Sequence, residues 1–315
     1  MKFLVVGVGA LGSAYLAFLS RAGHKAVGFL KKGRKLQSIR VEGIWGEFIQ
    51  EVKAIDTLDA LDFEPDITIL TVKSYDTTQA LKDIQKLKDT KSFLMVAQNG
   101  YGNYEKAIEV FGKGKVILAR VIFGAELLEW GRVRITVCGD DVVLGDPEGI
   151  IEEAFLKELA NTFSSAGIPT RCEKEVYKYL WDKILYNCAL NPLGALFETT
   201  YGRLASNVYT KELMDKILEE AFEVIRVNAI PTFWQDVEEY KRHFYQRLIP
   251  PTAEHYPSML ADVKKGRTEI DALNGALLEL GRSKGITLPV NEMVVRLIKA
   301  KELFNQPLGL SLIHI

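Results

Sequence analysis

Histidine and cysteine are both scarce in this chain of 315 residues, and their scarcity removes two large classes of chemistry. The four histidines, His24, His243, His255 and His314, do not cluster, which argues against a metal centre and against a histidine-centred nucleophilic triad. The three cysteines, Cys138, Cys172 and Cys188, are odd in number and widely spaced. They suggest neither a disulfide framework nor a zinc site, and they agree with a reducing, cytoplasmic setting. Neither sign of charge dominates: 40 Lys and Arg against 41 Asp and Glu leave a formal net charge of -1, with no electrostatic footprint for nucleic acid. No apolar run reaches the roughly 18 residues that a membrane span requires. Internal repeats and low-complexity tracts are also absent. The opening "MKFLVVGVGALGSAYLAFLSRAG" has the outline of a secretory signal, but its glycines fall at the spacing of a strand-turn-helix.

What remains is an ordinary soluble composition, 48% hydrophobic and 26% charged, in a chain long enough for two cores. The expected partners are small molecules, with no nucleic acid, no membrane and no metal. The first half alternates short apolar runs with helical patterns, which predicts an α/β, Rossmann-type doubly wound parallel sheet over residues 1–172. "KFLVV", "KAVGFL", "ITILTVK" and "FLMVAQNG" read as buried strands, and "SAYLAFLSRAG" and "TTQALKDIQKLK" as helices. "VEGIWGEFIQEVK" reads as an inserted hairpin. Val116 to Leu144 is strand-rich with a turn at Gly131, and a helix from about Ile150 to Ala166 and the strand "IPTRC" close this half.

From residue 173 to 315 the pattern predicts an all-helical domain. Helices are expected over Glu173–Phe197, Tyr209–Asn228, Gln235–Leu248, Thr268–Lys284 and Val290–Phe304, separated by proline and glycine punctuation. The C-terminal "PLGLSLIHI" has neither cap nor period and reads as a disordered end or a docking tail.

Directly after the first strand comes "GVGALG", comprising Gly7, Val8, Gly9, Ala10, Leu11 and Gly12. In this context Gly7 makes the tight turn, Gly9 lets a pyrophosphate approach the backbone, and Gly12 permits close helix-strand packing. The helix N-terminus offers its free amides to the phosphate. An acid at the tip of the second strand would hold an NAD ribose, but that tip reads "FLKKGRK". Lys31, Lys32 and Arg34 suit a 2′-phosphate, so NADPH is the expected cofactor and NADH the alternative. The plain competing reading is a solvated basic loop.

The stretch "YLWDKILYNCALNPL" carries Lys183, Asn187 and Asn191 at every fourth position among apolar residues. At 3.6 residues per turn they drift by only about 40° per step and share one face. A lysine and two amides are poor core material unless something pairs with them. The competing reading is that Lys183 snorkels to water and the asparagines cap or kink the helix near Pro192.

Taken in order and spacing, "GVGALG", "TVKSY", "QNGYGN", "WDKILYNCALNPL" and "PSMLADVKKGRTEID" resemble the ketopantoate reductase (2-dehydropantoate 2-reductase) family, from Phe3 to about Phe304. The resemblance implies NADPH-dependent reduction of 2-dehydropantoate to pantoate, on the route to pantothenate and coenzyme A. It implies that Lys183 is the general acid, that Glu269 contacts the substrate hydroxyl or that lysine, and that Asn187 and Asn191 lie beside the substrate. It further implies that Ser258 holds the substrate carboxylate and Asn99 lies between cofactor and substrate, with Lys73 in the cofactor site. Read as residues alone, Lys73 is a strand-end surface lysine, and Glu269 a first-turn acid in a helix that Thr268 caps and Asp271 completes as a capping box. One departure stands out: many relatives carry Asn-Gly where this chain has Tyr201-Gly202. A homodimer is left open. Two other readings share these features, a reductase of another small 2-oxo or 3-hydroxy acid and a non-catalytic NADPH sensor; the pairing of Lys183 with Glu269 speaks against the sensor.

Overall fold

The computed structural model describes residues 1–306; the tail "PLGLSLIHI" lies outside the described residues. The chain divides into two compact units, Met1–Leu180 and Trp181 onward.

The first unit begins with β1 (Lys2–Val6), α1 (Ala10–Arg21), β2 (Lys25–Phe29), β3 (Ser38–Gly43), β4 (Phe48–Glu51), β5 (Lys53–Ile55) and β6 (Ile67–Leu70). It continues with α2 (Thr77–Ile84), β7 (Phe93–Val96), α3 (Asn103–Phe111), β8 (Val116–Arg120), β9 (Phe123–Glu129), β10 (Arg132–Cys138), β11 (Val142–Gly145), α4 (Glu153–Ser165) and β12 (Thr170–Cys172). The main sheet has eight strands in the order β12-β11-β8-β7-β6-β1-β2-β5. From β8 to β5 every neighbouring pair is parallel, which brings the C-terminal ends of β1, β2, β6 and β7 to one edge. Strands buried on both faces read as unbroken apolar runs, and β6 and β8 are buried at every position. The expected parallel order stops at β11, which runs antiparallel to β8 and carries β12 with it.

The expected hairpin forms, as β3 and β4 in antiparallel register from Ser38 opposite Glu51 to Val41 opposite Phe48. It belongs to a second sheet of four strands, β4-β3-β10-β9, in which β9 and β10 flank the Gly131 turn. This sheet explains why "SAYLAFL" is apolar on all sides. Every residue from Gly12 to Leu19 of α1 is buried, with Phe18 edge-on to Trp45 and Phe48 and Tyr15 against Phe123 and Phe163. A helix apolar all round is one covered on more than one side.

The second unit is helical. α5 (Val176–Phe197) crosses the division and is followed by α6 (Tyr201–Ser206), α7 (Val208–Val227), α8 (Val237–His243), α9 (Ser258–Val263), α10 (Asn274–Arg282) and α11 (Pro289–Asn305). The predicted helix over Gln235–Leu248 is α8 continued by a wider π turn at Phe244–Leu248. The predicted helix from Thr268 is shorter: Ile270–Ala272 is a single 3₁₀ turn, and α10 starts only at Asn274. The capping box expected there does not form. Only its Thr268 half is present: Thr268 Oγ1 accepts from the Ile270 N–H at 3.2 Å while donating to Glu302 at 2.6 Å, whereas the Asp271 carboxylate receives Lys299. No helix among the described residues is long and apolar enough to cross a membrane, and no group of three or more His, Cys, Asp or Glu among them could hold a metal ion.

Candidate active site

In the first unit the glycine turn joins β1 to α1. Gly7 has φ of +92°, and a Cβ there would lie 2.8 Å from the backbone nitrogen of Val72. At Gly12 a Cβ would run into the carbonyl oxygen of Gly7. Gly9 is different: a Cβ would meet nothing within 4 Å. Sterics of the chain itself therefore require glycine at 7 and 12, whereas the open space over Gly9 is what a pyrophosphate would need. Gly9 also stands at the N-cap of α1 without a side-chain cap, leaving first-turn amides of Ala10, Leu11 and Gly12 available to an anion. The residues present suit a dinucleotide.

Lys73 follows β6 and Asn99 follows β7, so both project from the strand edge that carries the glycine turn. Their loops are held by side chains. Gln98 Nε2 donates to the Val72 carbonyl and to Thr77 Oγ1, each at 2.7 Å. Thr77 Oγ1 donates to Asn103 Oδ1 at 2.7 Å, and Asn103 Nδ2 donates to the Asn99 carbonyl at 2.8 Å. Thr71 Oγ1 meanwhile donates to the Gly7 carbonyl at 2.7 Å. Sequence reading missed these braces, although Gln98 and Asn103 lie inside "QNGYGN".

The basic tip of β2 is less uniform than its sequence. Lys31 Nζ contacts Asp76 at 2.9 Å, and the Arg34 guanidinium lies 4.7 Å from the centre of the Trp130 ring. Lys32 is exposed and has no ion pair among the described residues.

In the second unit, Lys183, Asn187 and Asn191 lie on α5. Lys183 is half-buried, while Asn187 and Asn191 are each only 6% exposed. No hydrogen bond to the Asn187 amide is made among the described residues. Asn191 Oδ1 accepts from the Tyr201 hydroxyl at 2.7 Å. Pro192 has no N–H to offer the carbonyl four residues back, at Cys188. Asn274 Nδ2 fills that place at 3.1 Å, and it also donates to Asn291 Oδ1. At the far end of α5, Lys301 donates to the Ala195 carbonyl and to the Glu198 carboxylate, each at 2.9 Å.

Ser258 and Glu269 are carried on segments fastened to this part of the second unit. Ser258 opens α9 directly after Pro257, and a Cβ at Gly194 of α5 would lie 2.8 Å from the Pro257 ring. Glu269 is buried, 9% exposed, between Thr268, whose N–H and hydroxyl both donate to Glu302, and the turn leading to Asn274. Tyr201 and Gly202 tie in the chain before Ser258 by donating their N–H groups to the carbonyls of His255 and Ala253. The sequence marked Tyr201 only as a departure from relatives, without its bond to Asn191, and did not mark Asn274. Pro192 was the only clue to Asn274, since its missing N–H leaves a carbonyl that something must serve.

Known proteins match the chain over nearly its whole length. The family described as ketopantoate reductase PanE/ApbA matches residues 3–149, and the family described as its C-terminal part matches residues 175–302. The chain is 60% identical over 305 residues to a 2-dehydropantoate 2-reductase of Aquifex aeolicus (strain VF5), covering 97% of this chain and 98% of the relative. It is 31% identical over 310 residues to a protein of the same name from Pyrococcus horikoshii, covering 96% and 98%. The crystal structure of a PanE/ApbA family ketopantoate reductase from Ralstonia eutropha JMP134 superposes with a TM-score of 0.84 at 27% identity, covering 98% of this chain and 100% of that one.

Proposed function

The chain belongs to the ketopantoate reductase family and is an oxidoreductase, and on that premise we propose that it reduces 2-dehydropantoate to pantoate with NADPH. The product would feed pantothenate and coenzyme A synthesis.

The observation that carries this reading is the polar face of α5. Asn187 is only 6% exposed and makes no side-chain hydrogen bond among the described residues, and because its amide atoms are not sealed from solvent they stay open to a ligand. When bound, the nicotinamide supplies hydride to the ketone carbon. Negative charge then develops on the ketone oxygen, and the Lys183 ammonium both stabilises it and delivers the proton that completes the hydroxyl. Solvent restores the proton to Lys183. Asn187 and Asn191 hydrogen-bond the substrate, Ser258 takes its carboxylate, and Glu269 accepts from its hydroxyl or from Lys183. Gly7 through Gly12 hold the pyrophosphate, with Lys73 and Asn99 along the cofactor.

The 2′-phosphate of NADPH is assigned to the tip of β2. Lys32 is the most available cation there, because Lys31 already has Asp76 as a partner. Charge-assisted bonds to phosphate favour this tip for NADPH over NADH.

The test is to mix the purified chain with NADPH and 2-dehydropantoate, follow loss of the reduced cofactor, and identify pantoate as product. Oxidation with a different small 2-oxo acid but not with 2-dehydropantoate would keep the reaction and overturn the substrate. Binding of NADPH without turnover of any 2-oxo acid would overturn the enzymatic reading.

A further inference from the structure

We infer that Tyr201 is a positioning residue: its hydroxyl fixes the orientation of the Asn191 amide and leaves both hydrogens of the nitrogen for the ligand, making Asn191 a donor to a substrate oxygen. This rests on the reading of the α5 face as the substrate site.

The bond joins Tyr201 Oη to Asn191 Oδ1 at 2.7 Å, with Tyr201 3% and Asn191 6% exposed. Its direction follows from what surrounds it. Burial holds the Tyr201 pKa well above its ordinary value, so the hydroxyl keeps its proton. That proton needs an acceptor, and the Asn191 carbonyl oxygen is the one it has among the described residues. With Oδ1 taken, the amide cannot flip without leaving a buried hydroxyl proton unserved, a cost comparable to a lost hydrogen bond. The two Nδ2 hydrogens have no acceptor among the described residues and are left for a ligand oxygen.

Tyr201 is itself immobilised. Its ring stands edge-on to Tyr186 at 5.7 Å and 90°, and Tyr186 Oη is anchored on Thr252 Oγ1 at 2.8 Å. The Thr252 hydroxyl proton goes to the Leu248 carbonyl, so Tyr186 is the donor in that pair. The Tyr201 N–H donates to the His255 carbonyl at 3.1 Å and that of Gly202 to Ala253 at 2.8 Å. A Cβ at Gly202 would lie 2.9 Å from that of Ala253, so glycine is what lets the strand of chain leading to Ser258 come this close. The pair therefore sets the Asn191 amide and anchors the approach to Ser258.

The experiment is a double-mutant cycle with Tyr201→Phe, which keeps the ring, and Asn191→Ala. In the otherwise wild-type enzyme, Tyr201→Phe should raise KM for 2-dehydropantoate by about three- to tenfold, the worth of one neutral hydrogen bond, with KM for NADPH unchanged. In the Asn191→Ala background the same change should alter KM by less than about twofold, because it then has no amide to orient. An equal effect in both backgrounds, or no effect in the wild type, overturns the inference. Failure of the wild type to reduce 2-dehydropantoate would overturn the functional reading instead. In that event the positioning role is decided by the side-chain amide signal of Asn191 in protein carrying nitrogen-labelled asparagine, identified by its loss in Asn191→Ala. A signal that shifts in Tyr201→Phe supports the role, and an unmoved signal overturns it.

Discussion

Asn274 Nδ2 donates to the backbone carbonyl of Cys188 at 3.1 Å, the carbonyl that Pro192, four residues on, has no N–H to serve. Proline inside a buried helix is therefore compensated by an amide from the segment that follows Glu269. The helix bearing Lys183, Asn187 and Asn191 and the turn bearing Glu269 are joined through that bond. Replacing Asn274 by Ala should destabilise the protein by about 1 to 3 kcal/mol, the cost of an unserved buried carbonyl plus a lost side-chain bond. In a Pro192→Ala background, where residue 192 regains an N–H, the same replacement should cost about 1 kcal/mol less. Urea melts of the four proteins measure the difference, and strict additivity would show that Asn274 does not substitute for the missing N–H.

Lys183→Ala should lower kcat by about 10² to 10⁴, the usual worth of a positioned general acid, and leave NADPH affinity nearly unchanged. Asn187→Ala and Ser258→Ala should act mainly on KM for the 2-oxo acid, because their bonds are made in ground and transition states alike. Steady-state kinetics with NADPH titrations separate the two patterns. A Lys183→Ala enzyme with wild-type kcat would remove the lysine from the chemistry.

Gly9→Ala and Gly12→Ala should fail in different ways. The first places a Cβ in open space, so the melting temperature should hold while KM for NADPH rises; the second drives a Cβ into the Gly7 carbonyl and should destabilise the fold itself. Thermal melts without cofactor, set beside cofactor titrations, distinguish them.

Removing Lys31 and Lys32 together should raise KM for NADPH far more than for NADH. Most of the effect should come from Lys32, since Lys31 is paired with Asp76. Each charge-assisted bond to phosphate is worth roughly 1.5 to 3 kcal/mol when ordered and less in an exposed, salt-screened loop. The ratio of kcat/KM for the two cofactors, taken at low and high salt, reads this out. A ratio that the double mutant leaves unchanged would make these lysines a solvated surface run.

Acid stability should depend on Asp140. Burial alone would push its carboxyl up, but the bonds from Arg171 and from the nearly buried Arg120 hold it well below its ordinary 3.8. A depressed folded value means that its stabilisation is complete above the unfolded value and is lost as pH falls below about 4. Asp140→Asn should therefore be less stable than wild type at neutral pH, by roughly 3 kcal/mol or less because Asp140 is partly in water. Its stability should also fall less steeply below pH 4, as denaturant melts across pH would show. Parallel curves for the two proteins would place the acid sensitivity elsewhere.

The sequence by itself determined the elements whose signals are local. Glycine spacing after an apolar strand identified the β1–α1 turn, and the requirement is steric at Gly7 and Gly12, where the neighbouring chain leaves no room for a Cβ. Fourfold spacing placed Lys183, Asn187 and Asn191 on one helical face, because helix geometry alone sets that relation. What only the tertiary structure decided is which distant groups meet. Nothing in "SAYLAFL" says that it packs against a second sheet, since strands from residues 38–51 and 123–138 come together only through pairing across long separations. Thr268 caps as its position suggests, accepting from the Ile270 N–H, but the Asp271 half of the box is lost because Lys299, 28 residues on, takes that carboxylate. Tyr201 stood out in the sequence only as a departure from relatives and Asn274 not at all, because their partners Asn191 and Cys188 are met only in the fold. A hydroxyl or an amide announces only what it can donate or accept, and its partner is chosen by the packing that buries it.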